Sequence, residues 1–411
     1  MIAATVPDQR PPHARLLAID AAGQITHHPR SNFSDLLRAG DVVIANDAAT
    51  LPASLLGIHE RTGATIEVRL AGRRSLEPQA VRCFSAIVLG EGNYLTPTEH
   101  RPSPPELRPG DDLRLGPLHA TVVCLLDHPR LVPLRFEGSS DEIWRGLVRH
   151  GRPIQYAHIP MPLTIWDTWT PIAALPAAYE PPSAAFILNW STLDVIIRRG
   201  VYFATLTHAA GISSTGDPVL DARLPFDEPY RIPESTARLV REARERGGRV
   251  IAIGTTVVRA LEHAAEINGV LRAGKGLATQ RIGRETKLQI VDAIVSGTHE
   301  PGTSHHELLR AFVANGVLED MNAELEEQRY RTHEFGDSIF VERMNSKGAS
   351  VVPRNQTPSG SHPWPVLSMS YRLPHALLRR HPVDFSGSLF RANNLSARAS
   401  TIRQLPDREG R

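Results

Sequence analysis

The chain has 411 residues, 41% hydrophobic and 22% charged, a globular profile too long for one ordinary core. Its formal charge of +2 excludes a strong overall field for nucleic acid. Its two cysteines, Cys83 and Cys124, exclude a disulfide framework or a Cys-x-x-Cys site. No apolar run approaches the ~20 residues that span a bilayer, and the start lacks the basic-then-apolar order of a secretion signal, so a cytoplasmic protein without a membrane partner is expected.

The chain opens with a short strand over Arg15–Ile19 and a short helix around Phe33–Leu37. Val42–Ala45 follows as a buried strand ending on the polar pair Asn46-Asp47. From Leu51 to Glu137 the texture changes. Strand-like runs at 65–70, 83–89, 112–115, 119–126 and 131–136 crowd together, with Gly and Pro between them and no helix. That spacing predicts a small antiparallel barrel or sandwich inserted into a larger domain. A helix is expected over 141–150, then a Pro-rich connection at His158–Leu163 and a long loop over 164–190. βα texture returns with a helix over 192–199, a strand over 201–207 ending before His208, and a loop over 212–232 carrying Asp217, Asp221, Asp227 and Glu228. Pro233–Arg246 reads as a helix closed by Gly247-Gly248, Val250–Ile253 as a strand, and Val257–Ala265 as a helix. A strand over 288–295, a helix capped by Ser304-x-x-Glu307, a helix over 318–329 and a strand over 338–342 complete the ordered pattern. The fold expected is α/β. A mixed or parallel sheet with flanking helices occupies 1–50 and 141–343, a small antiparallel β-barrel is inserted at 51–140, and 344–411 is a poorly ordered extension rich in arginine.

The chemistry-bearing residues follow strands. Asn46-Asp47, His208, Gly254-Thr255-Thr256 and Thr298-His299 each come directly after an apolar run. If those strands are parallel neighbours, these residues gather at one sheet edge, where open α/β sheets bind ligands. The Gly-Thr-Thr turn before a helix points free backbone N–H groups at a ligand, although any βα turn favours such residues. Two histidines at equivalent strand ends are candidate general bases. The adjacent pairs His27-His28 and His305-His306 do not share a face, so no metal site is expected.

GGRVIAIGTTVVRALE at 247–262 resembles the GGR-x-x-x-VGTT-x-x-R-x-LE segment of the S-adenosylmethionine:tRNA ribosyltransferase-isomerases of queuosine biosynthesis. The likeness continues in order along the chain. Arg15-Leu16-Leu17 resembles the family's Ser-Arg-Leu start, GDVVIANDAATLPASLLG at 40–57 its GD-x-L-V-x-NNTRV-x-PARL-x-G block, and Leu206-Thr207-His208 its Thr-Leu-His strand end. Val291-Asp292, His299-x-Pro301-x-x-Ser304, Tyr330-Arg331 and Phe335-Gly336-Asp337 are similar to later blocks. The resemblance implies an α/β domain with an inserted barrel. It implies transfer and isomerisation of the ribosyl part of S-adenosylmethionine, a co-substrate, onto 7-aminomethyl-7-deazaguanine in the tRNA anticodon, giving epoxyqueuosine, adenine and methionine without a metal. Carried over by position, His208 and His299 are the catalytic candidates. Arg15, Asn46, Asp47, Glu228, Gly254, Thr255, Thr256, Arg259, Glu262 and Asp337 are the binding candidates. The chain departs from the family pattern at Ala49 and Ser54, where the NNTRV and PARL blocks carry arginine, and over His208-Ala209-Ala210-Gly211-Ile212-Ser213, where the glycines of HVGAGTF are lost. Two alternatives stay open: a relative using S-adenosylmethionine on a small amine or heterocycle, and a non-catalytic ligand- or RNA-binding relative.

Overall fold

A computed structural model of the chain describes residues 1–344. The extension expected over 344–411 lies, beyond Met344, outside the described residues. The main sheet begins with β1 (Arg15–Ile19), β2 (Ile25–Pro29) and β3 (Val42–Asn46). Six strands follow: β4 (Ser54–His59), β5 (Ala64–Gly72), β6 (Cys83–Leu89), β7 (Asp112–Leu115), β8 (Leu118–Val122) and β9 (Leu131–Phe136). They pair antiparallel in the order β8-β9-β6-β5-β4-β7 and close into a barrel, which leaves no open edge. Helix α1 (Ser140–His150) leads out of it. Its entry is a reciprocal cap in which the Ser139 hydroxyl accepts from Glu142 N–H while the Glu142 carboxylate accepts from Ser139 N–H.

The second half contributes α2 (Trp190–Arg198), β10 (Tyr202–His208), β11 (Glu228–Ile232), α3 (Glu234–Glu245), β12 (Val250–Ile253), α4 (Thr255–Asn268), β13 (Gly274–Ala278), β14 (Ala293–Gly297), α5 (Ser304–Leu308), α6 (Asn315–Glu327) and β15 (Ser338–Glu342). With β1, β2 and β3 they build a nine-stranded mixed sheet in the order β13-β11-β10-β3-β12-β14-β15-β1-β2. Its centre, β10-β3-β12-β14, is parallel throughout. Both faces of that centre are covered, so β3 and β12 read as continuous apolar runs. Val42, Ile44 and Ala252 pack under α3 and α4 against Val240, Ala243 and Leu261. Val43, Ala45 and Ile251 pack on the opposite face against Leu193, Ile196 and Phe33. Burying such side chains contributes about 1.5–3 kcal/mol each.

The α/β class with an inserted antiparallel barrel agrees with expectation, and several element bounds do not. The stretch read as a loop over 212–232 ends in β11, and β2, β4 and β13 were not expected. The strand expected over 288–295 begins only at Ala293, because Gln289, Ile290 and Val291 donate their N–H groups to the Glu262 carboxylate instead of a neighbouring strand. The loop expected over 164–190 contains a strand, Leu175–Ala178, paired in parallel with Ala48–Thr50. The cap of α5 is Thr303, one residue before the expected Ser304, and Glu307 pairs with Arg310 at 2.7 Å instead of closing a capping box.

Candidate active site

The parallel register brings the strand ends together. Val43 pairs with both Phe203 and Ile251, and Ile251 with Ala293, so Asn46, His208, Gly254 and Thr298 meet at one edge of the sheet. Asn46 is the knot. Its Oδ1 accepts from His208 N–H at 2.9 Å, and its Nδ2 donates to the His208 carbonyl at 2.9 Å and to Thr256 Oγ1 at 3.3 Å. Asp47 accepts from the Thr205 and Thr207 hydroxyls at 2.9 and 2.7 Å, which fixes the end of β10 from the other side. Both residues position the site with groups already committed to the protein.

Gly254 caps α4 with φ +96°, a conformation that glycine adopts without strain, and no side chain caps this helix. The Thr255 and Thr256 N–H groups therefore remain open at the positive end of a fourteen-residue helix. They border a cavity of about 230 Å³ whose walls include Gly211, Glu228, Thr255, Thr256, Arg259 and His305. The Glu228 carboxylate accepts from Gly211 N–H at 2.5 Å and pairs with the Arg259 guanidinium. A Cβ at Gly211 would sit 2.6 Å from Glu228 Oε1, so any larger residue there has to displace the carboxylate. Burial pushes the Glu228 carboxyl upward, while the Arg259 charge and the Gly211 N–H oppose it.

His208 lies fully buried with its ring parallel to Tyr230, centroids 6.4 Å apart. Neither ring nitrogen has a hydrogen-bond partner among the described residues, and Nε2 stands 3.5 Å from Glu228 Oε2. Burial, helped by the charges of Arg259 and His263, holds this imidazole well below the usual histidine range, so it is neutral and able to accept a proton. His299 stacks on His305 at 4.5 Å. Burial and its histidine neighbours keep His299 neutral too, and burial pulls His305 down to about 4.

The family model described as queuosine biosynthesis protein matches residues 1–341. The chain belongs to this family. Among similar proteins, one from Pelobacter propionicus is 30% identical over 340 residues, covering 80% of this chain and 93% of its own. One from Gloeobacter violaceus is 30% identical, covering 80% and 89%, and one from Ralstonia nicotianae is 30% identical, covering 83% and 92%. All three are named S-adenosylmethionine:tRNA ribosyltransferase-isomerase. A solved S-adenosylmethionine tRNA ribosyltransferase from Thermotoga maritima is 22% identical, with a TM-score of 0.44 and coverage of 82% of this chain and 96% of its own.

Within this member of the queuosine family, the twelve carried-over candidates divide. Glu228, Thr255, Thr256 and Arg259 line the cavity. Asn46, Gly254 and His208 adjoin residues that line it, Asp47 fixes the end of β10 behind Asn46, and His299 reaches it through His305. Three lie elsewhere. The Glu262 carboxylate is consumed by the N–H groups of 289–291, at 2.6, 3.0 and 2.8 Å. Arg15 donates to the Gln328 and Arg329 carbonyls and to Asp337, which also receives Arg331 N–H. That pair ties β1 to the segment before β15 and does not border the cavity. Arg259 lines the cavity yet spends its donors on Glu228 and on the Phe226, Ala278 and Gln280 carbonyls.

Sequence reasoning missed His305, which it weighed only as half of an adjacent pair. Its one signal was its place in the first turn of a helix that follows a strand end, the same context as Thr255. Glu180 was missed as well. It is buried, bonded to the Tyr156 hydroxyl and to Ser213 N–H, and pushed up to about 7 by burial and by Glu334. No spacing marks it. Among the described residues, no group of three or more His, Cys, Asp or Glu side chains is arranged to hold a metal, and no helix is long and apolar enough to cross a membrane.

Proposed function

We propose that this chain transfers and isomerises the ribosyl moiety of S-adenosylmethionine onto 7-aminomethyl-7-deazaguanine in the anticodon region of tRNA, in the cytoplasm. Family membership over 1–341 and the names of relatives at 30% identity support the activity. The observation that carries the chemistry is His208, a buried neutral imidazole with both ring nitrogens unbonded beside Glu228. The sulfonium of the co-substrate acidifies adjacent C–H bonds and makes methionine a good leaving group. His208 accepts the released proton, and Glu228 at 3.5 Å offsets the imidazolium charge. The ring C–O bond beside the deprotonated carbon opens to a vinyl sulfonium as adenine leaves with the electrons of its bond to the sugar and takes up a proton. The amine nitrogen adds to the vinyl sulfonium and gives up a proton, the carbanion so formed closes on the aldehyde, and the resulting alkoxide displaces methionine to form the epoxide. The open N–H groups of Thr255 and Thr256 hold polar parts of the ligand, and His299 with His305 forms a second neutral pair for proton transfer. In this reading the barrel, 51–140, is an insertion in a discontinuous catalytic unit of 1–50 and 141–343.

The test is incubation with S-adenosylmethionine and a tRNA carrying the 7-aminomethyl base, scoring adenine release and the mass of the base. Both are expected to change together. A second reading, the same co-substrate with a small amine or heterocycle as acceptor, is favoured by one observation. Where the family pattern places arginine, Ala49 is buried in the Ala48–Thr50 strand and the Ser54 hydroxyl donates to Glu67 at 2.8 Å. These positions offer no cation to an RNA phosphate. Adenine release with an unchanged tRNA would overturn the first reading for the second. No binding of S-adenosylmethionine by calorimetry would overturn both.

A further inference from the structure

The barrel contributes a cation that the fold itself does not neutralise. Arg73 directly follows β5 and is only 5% exposed. Its Nη2 donates to the Pro176 carbonyl at 3.1 Å, while its Nε is buried with no partner. Among the described residues no carboxylate pairs with it, unlike buried Arg69, Arg101 and Arg259, each of which has a glutamate. Beside it stands Tyr179, 1% exposed, whose hydroxyl also has no partner. The two are close enough for the Arg73 charge to act on the phenol, against the burial that pushes it upward.

Two unsatisfied donors in one buried place are costly without a ligand, because each has lost water and gained nothing. Their position ties them to the candidate site. Tyr179 N–H donates to the Ala210 carbonyl at 2.8 Å, and Ala210 lines the cavity. Glu228, on the same cavity wall, acts electrostatically on Tyr179. The far side of the phenol packs edge-on against Phe84 of the barrel, centroids 6.3 Å apart. Tyr179 therefore stands directly behind the cavity wall, between it and the barrel.

We propose that Arg73 and Tyr179 form a carboxylate subsite that takes the amino-acid end of S-adenosylmethionine. This rests on the functional reading above and adds to it a barrel residue that touches the co-substrate. A guanidinium and a phenol O–H match an acceptor-only group, and a charged carboxylate is the strongest such partner. The depth of burial selects a terminal group over a polymer backbone, which argues against an RNA phosphate. The α-carboxylate is the one anionic group that S-adenosylmethionine carries. The partial charge at the start of α4 remains for its neutral oxygens and nitrogens.

The experiment is titration calorimetry of the intact chain with S-adenosylmethionine and with decarboxylated S-adenosylmethionine, an analogue lacking only that anion. The wild type is expected to bind the carboxylated ligand roughly tenfold tighter or more. Tyr179→Phe removes a hydroxyl that bonds nothing in the protein, so it leaves the fold intact. It is expected to weaken S-adenosylmethionine severalfold and leave the analogue unchanged. Arg73→Met is expected to abolish the discrimination. Equal binding of both ligands by the wild type overturns the subsite, as does wild-type affinity in Tyr179→Phe. Equal losses for both ligands in Arg73→Met reduce Arg73 to a structural role and overturn its part. If S-adenosylmethionine does not bind the wild type at all, the functional reading fails first and the subsite with it.

Discussion

Arg259→Met separates a scaffold from a ligand grip. Arg259 is 4% exposed, its partner Glu228 is equally hidden, and its remaining donors reach the carbonyls of Phe226, Ala278 and Gln280. Removing the guanidinium leaves a buried carboxylate with only the Gly211 N–H and a neutral histidine near it. Breaking a buried pair in this way costs about 3–5 kcal/mol, a large part of the roughly 5–15 kcal/mol that holds a typical fold together. The double variant Glu228→Gln with Arg259→Met removes the stranded charge and is expected to recover about 1–2 kcal/mol of that loss. Equilibrium urea unfolding followed by tryptophan fluorescence measures both, with an unchanged slope required for the comparison. Stability within about 0.5 kcal/mol of wild type, together with a large loss of S-adenosylmethionine affinity, would refute the reasoning and return Arg259 to the ligand.

The other expectations are briefer. His208→Ala is expected to abolish turnover while S-adenosylmethionine still binds; near-wild-type turnover in a steady-state assay removes His208 from the mechanism. Glu262→Ala strands three backbone N–H groups and is expected to cost roughly 3 kcal/mol in urea unfolding, with KM unaltered; a raised KM at full stability would place its carboxylate on the ligand after all. Glu180 keeps a proton in the fold up to about 7 that the unfolded chain releases near 4.5. Its contribution is thus fully present below pH 4.5 and is lost as pH rises through 7, on the order of 3 kcal/mol. Glu180→Gln should flatten the stability profile over that window, and an unflattened profile by thermal unfolding would contradict the assigned shift. His305 works in the opposite sense. Its folded value of about 4 against 6.5 means stability present above pH 6.5 and lost as pH falls through 4, so His305→Gln should unfold less readily in mild acid than wild type; an equal acid midpoint would refute this.

The centre of the sheet was legible because its strands are buried on both faces. Val42–Ala45 and Val250–Ile253 are unbroken apolar runs, which few other structures tolerate. The edges were not. β2 reads ITHHP and β13 reads GKGLA, with exposed and half-exposed positions and no alternation to follow. Their pairing is set by β1 and β11, which local sequence does not display. β11 hides for another reason: it carries Pro229, and its only apolar pair is Tyr230 and Ile232. Barrel strands with clear alternation were found, whereas β4, SLLGIH, has Gly57 where a side chain would collide with the Arg114 carbonyl of β7. That glycine is demanded by close strand approach and looks like a turn signal in the sequence.

The same limit explains how the site was misread at its charged positions. Arg259 and Glu262 are three apart on α4 and so share a face, and together they resemble a pair of hands for a polar ligand. The face they share is enclosed. The chain returns over it twice, first at 278–280, where carbonyls collect Arg259, and again at 289–291, where N–H groups collect Glu262. A buried charge must be matched by something, and here the protein's own backbone matches it before any ligand arrives. Among the groups whose donors and acceptors the fold does not use are the N–H groups of Thr255 and Thr256, the ring of His208, Arg73 Nε and the Tyr179 hydroxyl. Three of these come from strand ends or turns, which a sequence reading can anticipate. The last two come from the barrel and from the long loop over 164–190, so their meeting is a product of tertiary structure alone. In this fold, the helix that starts with GTT turns its backbone toward the cavity, and its strong charges hold the walls.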